Sequence, residues 1–64
     1  MSEFNYIDAK RALRLIDEAL DVINSTTVST VEGTFIKDSI VFDALDVELQ
    51  ITKLYKVING NDLP

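Results

Sequence analysis

The sequence predicts an all-α fold: an antiparallel helical hairpin of 64 residues that self-associates into a four-helix bundle. Three observations carry this. Two segments repeat apolar residues at unbroken heptad spacing, a Ser/Thr-rich stretch separates them, and the apolar surface exceeds what one hairpin covers. The whole chain, 1–64, reads as one domain, since this length leaves no room for a second core.

The first helix is expected over about residues 4–24. Tyr6, Ala9, Leu13, Ile16, Leu20 and Ile23 are spaced 3, 4, 3, 4, 3. Leu, Ala, Arg, Lys and Glu favour helix, and neither Gly nor Pro interrupts. Ser2 or Asn5 can cap its start, and Asp8 puts a negative charge near the positive helix end. Ala12, Leu15, Ala19 and Val22 widen the apolar arc to about 200° at 100° per residue, too wide for one partner helix. The small Ala12 and Ala19 permit close approach of a further helix.

Residues 25–33 read as a connector. Ser and Thr side chains compete for backbone hydrogen bonds, and β-branching lowers helix propensity. A turn is expected at Glu32-Gly33, with Thr34 as the cap of the next helix. That helix is expected over about 34–59. Ile40, Ala44, Val47, Ile51, Leu54 and Ile58 are spaced 4, 3, 4, 3, 4. Asn59-Gly60-Asn61 is a stop signal, with Gly60 suited to the left-handed position, and 60–64 form a short frayed tail. Tyr55 falls at the edge of the stripe, where its hydroxyl reaches water.

An α+β alternative stands beside this reading. Val47, Leu49 and Ile51 alternate with Glu48, Gln50 and Thr52 at strand spacing. One helix with a small antiparallel sheet, hairpinned at Glu32-Gly33, would follow. The heptad pattern outweighs it because the alternation fails at Leu54 and Ile58.

Composition limits the chemistry. The formal charge is −5, and Cys, His and Trp are absent. Thiolate nucleophiles, disulfides, zinc–thiolate sites and His-based general bases are therefore excluded. No catalytic, metal or cofactor-binding residue is assigned. Asp17, Glu18 and Asp21, and likewise Asp43, Asp46 and Glu48, read as solvated charges, with Arg14 forming surface pairs to Asp17 or Glu18. The longest apolar run, Ile40-Val41-Phe42, is too short to span a membrane, and the opening residues are not expected to act as a secretory signal. A cytoplasmic location is expected.

The candidate sites are therefore interfaces. Val41, Phe42, Leu45 and Leu49 lie on the flank or back of the second stripe, and clustered apolar residues there mark a contact surface. Leu15 and Val22 do the same on the first helix. The expected function is non-enzymatic: a small acidic regulator, inhibitor or adaptor that binds itself and another protein, in keeping with a phage- or plasmid-encoded origin. Lys10, Arg11 and Arg14 form the one basic cluster and define the alternative, a nucleic-acid-binding hairpin dimer. The neighbouring acids and the lack of a stacking aromatic beside the cluster oppose it. A further alternative is an acidic DNA mimic.

Overall fold

The computed structural model describes residues 3–64 and contains two helices, α1 (Tyr6–Ser25) and α2 (Val31–Asn59). They pack as an antiparallel hairpin, and the described residues form no strand, so the α+β alternative falls. The heptad spacing of the second segment prevails over its local alternation. The 29 residues of α2 account for the 44 Å long axis of the molecule at about 1.5 Å per residue.

Asn5 caps α1: its Oδ1 accepts from the Asp8 backbone N–H at 2.9 Å. Ser2, the other cap considered, lies outside the described residues. At the far end Ser25 and Thr26 donate their hydroxyls to the Asp21 and Val22 carbonyls, 2.8 and 2.9 Å away. No basic residue stands in the last turn of α1. Lys37 supplies one from α2, its ammonium donating to the Asn24 carbonyl at 3.3 Å and the Thr26 carbonyl at 2.9 Å. A cation there satisfies acceptors that the helix cannot pair and complements its negative end.

The second helix starts earlier than the sequence reading placed it. Thr30, not Thr34, is the cap, its Oγ1 accepting from the Gly33 N–H at 3.0 Å. Glu32-Gly33 is no turn but the first turn of α2. Gly33 is required by a close approach: a Cβ there would collide with Val28 Cγ1 and the Thr30 hydroxyl. The connector folds over that vacancy and needs only residues 26–30. Gly60 ends α2 in the left-handed conformation, φ 76°, its N–H donating to the Lys56 carbonyl at 2.8 Å.

Past Gly60 the chain is less frayed than expected. Asp62 pairs with Lys56 at 3.3 Å, and Leu63 is partly covered. Asn59 ties the open end of the hairpin, donating from Nδ2 to the Phe4 carbonyl at 2.9 Å. This bond and the Lys37 bond together set the register: residue numbers facing each other across the hairpin sum to about 62.

The face of α2 turned to α1 carries Lys37, Val41, Ala44, Glu48, Ile51 and Tyr55, all at least partly covered. The expected stripe is turned away from it by about 60° at 100° per residue. Only Ala44 and Ile51 belong to both. Tyr55, placed by the sequence at the stripe's edge, is one of two buried residues among those described, at 7% exposure; Ala9 at 0% is the other. Burying the large Tyr55 ring hides more surface than burying Leu54 would.

Gly33→Ala gains helix propensity of about 1 kcal/mol yet forces Val28 and Thr30 apart, at a cost of about 1–3 kcal/mol for overpacking. We expect a net loss of stability, read as a melting temperature lowered by several degrees with the helical circular dichroism signal preserved. An unchanged or higher melting temperature would show that the connector yields freely.

Candidate functional site

The apolar surplus is arranged in two opposite flanks of the hairpin. In antiparallel helices both rods present their flanks in common, so residues at matching angles from the seam share a face. One face joins Leu15 and Val22 of α1 to Ile36, Ile40, Val47, Leu54 and Ile58 of α2. These side chains are exposed, Val22 to 67%. The other face joins Leu13 to Leu45 and Leu49, which line one open groove together with Glu48 and Thr52. Phe42, at 72% exposure, stands beside it.

The six interface candidates are thus not one patch. Leu15 and Val22 lie on the first face; Phe42, Leu45 and Leu49 lie on the second. Val41 belongs to neither, being turned towards α1. The sequence reading missed Val31 and Phe35, which continue the second face towards the connector and are 76% and 71% exposed. Their spacing to Phe42 and Leu49, at 4, 7 and 7 residues, was the available signal, hidden because residue 31 was assigned to the connector and Phe35 was read as core or core edge, which its exposure corrects. The first face also holds the stripe that the sequence reading gave to the hairpin seam.

The total area measures the shortage of cover. The chain exposes 5036 Å². A compact monomer of 7.2 kDa exposes about 4,100 Å², so the surplus is about 900 Å². A standard protein–protein interface covers about 800 Å² on each partner. The radius of gyration, 14.5 Å, likewise exceeds the roughly 11 Å of a compact domain of this length.

The charged groups are mostly surface residues. Lys10 lies 5.6 Å from the centre of the Tyr6 ring. An aromatic does therefore stand beside the basic cluster, contrary to the sequence reading, and it is engaged with Lys10 itself. Arg11 and Arg14 are exposed, and Arg14 forms neither expected ion pair; Lys56–Asp62 is the one ion pair among the described residues. Asp46 accepts from Gln50 at 2.8 Å, one turn further on.

Glu48 departs from expectation. Instead of facing solvent it sits on the hairpin face of α2, with Asp17 of α1 beside it. A hydrogen bond with Asp17 holds Glu48 in its protonated form above the usual carboxylate range, and partial burial and the repulsion of Asp17 add to this. Among the described residues no group of acids is placed to hold a metal ion, and no helix is long and apolar enough to cross a membrane. Comparison with protein families, curated proteins and solved structures finds no match to this chain.

The sign of the Glu48 effect follows from its raised value in the fold. The stabilisation is fully present below the ordinary glutamate pKa and is lost as pH rises through the raised one. Glu48→Gln keeps a hydrogen bond to Asp17 without the proton. We expect it to melt a few degrees above the parent at pH 7, with the difference vanishing in acid. A difference constant across pH would show that Glu48 and Asp17 are not coupled.

Proposed function

We propose that this is a small, acidic, non-enzymatic protein that self-associates and acts by binding another protein, as a regulator, inhibitor or adaptor in the cytoplasm. The observation that supports it most is the surplus of about 900 Å² of accessible surface over a compact monomer, together with the exposed apolar side chains on both flanks of the hairpin. A hairpin in which, among the described residues, only Ala9 and Tyr55 are buried holds too little core to be stable alone. The absence of Cys and His from the sequence supports the non-enzymatic part, since the usual nucleophiles and near-neutral bases are lacking. A cysteine-free composition is also what a reducing compartment permits. A phage- or plasmid-encoded origin suits a chain of this size and charge.

The two-flank arrangement suits two different contacts, one for a copy of the chain and one for a different protein. The second face, from Val31 and Phe35 through Phe42, Leu45 and Leu49, is the one we assign to the different protein. The nucleic-acid reading has weaker support. Lys10, Arg11 and Arg14 are exposed, but Asp17, Glu18 and Asp21 follow them on the same helix, and their repulsion of phosphate offsets the attraction.

Sedimentation over a hundredfold range of concentration tests the self-association. We expect a mass that is a multiple of 7.2 kDa, with a melting temperature that rises with protein concentration, as mass action requires. A 7.2 kDa species whose melting temperature is independent of concentration would refute the reading. For the other face, Phe42→Asp is expected to keep the parent's mass and helicity while losing the protein captured by the parent. Identical capture by parent and variant would remove that face from the function.

A further inference from the structure

We infer that a second copy of this chain packs on the first face, antiparallel, with a two-fold axis passing beside Val47 and Leu15. This rests on the self-association proposed above and adds the surface, the orientation and the register.

The spacing of the exposed stripe on α2 points to a copy rather than to an unrelated protein. Ile36, Ile40, Val47, Leu54 and Ile58 are separated by 4, 7, 7 and 4 residues, a series that reads the same in both directions. An antiparallel α2 therefore brings Val47 onto its own mate, Ile40 onto Leu54 and Ile36 onto Ile58. Such self-complementarity is what a two-fold interface demands.

The first helix agrees independently. By the hairpin register, Val47 is level with Leu15. The same axis then sets Leu15 onto its own mate and brings Ala12 to within one residue of level with Ala19 of the copy, two small residues that let the helices approach. It also brings Arg11 to within about one turn of the copy's Glu18 at the rim. The face also carries acids: Asp8 shares the line of Leu15 and Val22 at seven-residue spacing and comes level with Val22 of the copy, and Asp43 stands seven residues from Ile36. The rival two-fold arrangement lays α1 on the copy's α2. It sets Glu18 level with Asp43, like charge on like charge, and forfeits the stripe's symmetry.

The turned stripe acquires a reason in this arrangement. In a four-helix bundle a core residue points between two neighbours, not straight at one. The stripe lies about 60° from the hairpin contact, on the side where the copy docks, and so faces the bundle centre. The surplus of about 900 Å² per chain, shared between the two flanks, is of the order that one partner contributes to a standard interface, so the first face accounts for part of it.

The absence of cysteine makes the register directly readable. Val47→Cys, treated with a short bis-maleimide, is expected to give a covalent dimer in high yield, and Leu49→Cys on the opposite face is not. Ile40→Cys alone is expected to stay uncoupled, its mate being about 21 Å away at 1.5 Å per residue. A mixture of Ile40→Cys and Leu54→Cys is expected to couple as a heterodimer. That mixture decides the matter should Val47→Cys lose helicity. Coupling through Leu49→Cys, or failure of both Val47→Cys and the mixture in a parent that sediments as a dimer, overturns this interface while leaving self-association standing. A parent that sediments as a monomer throughout overturns both.

Discussion

A pair of packed helices covers one stripe on each rod, and α2 carries apolar side chains on three. Its face towards α1 takes Val41, Ile51 and Tyr55; one flank carries Ile40, Val47 and Leu54; the other carries Phe35, Phe42 and Leu49. Apolar side chains on three sides of one helix are more than a single partner helix covers. The hairpin leaves two of those three stripes in water, and that deficit of cover governs how the molecule holds together.

With so little core, the hairpin depends on polar fastenings at its ends. Lys37 crosses to the last carbonyls of α1, and Asn59 crosses to the carbonyl of Phe4. These bonds fix the register, yet each is exposed and worth only about 1 kcal/mol, or somewhat more where a charge donates. Between them the contact face includes Glu48, whose carboxyl Asp17 beside it pushes above the usual range. The fastenings hold the hairpin in shape, while the apolar flanks stay exposed.

The helices themselves were legible from heptad spacing, and Gly60 from its position after Asn59. Which way α2 is turned was not. A stripe of Ile40, Val47, Leu54 and Ile58 announces a core, but periodicity does not say whether that core lies within a chain or between chains. The start of α2 was hidden because Thr30 and Thr34 are equally good caps. The choice between them rests on Val28 packing over Gly33, a contact between residues that no periodic pattern links. Splitting the candidate surface in two likewise required the angle of α2. Leu15 and Phe42 are both apolar and exposed, and only the hairpin's geometry puts them on opposite sides.

The fastening of Asn59 to Phe4 also brings the beginning of α1 and the end of α2 to one pole of the rod, with the connector at the other. A bridge of a few residues is long enough to join them, and opening the backbone at Ser29, which is exposed, would then yield a circularly permuted chain with the same helices in swapped order. In such a ring the costly loop lies where the chain already meets itself, so the fold's tolerance of rewiring is set by a single amide reaching across to a carbonyl.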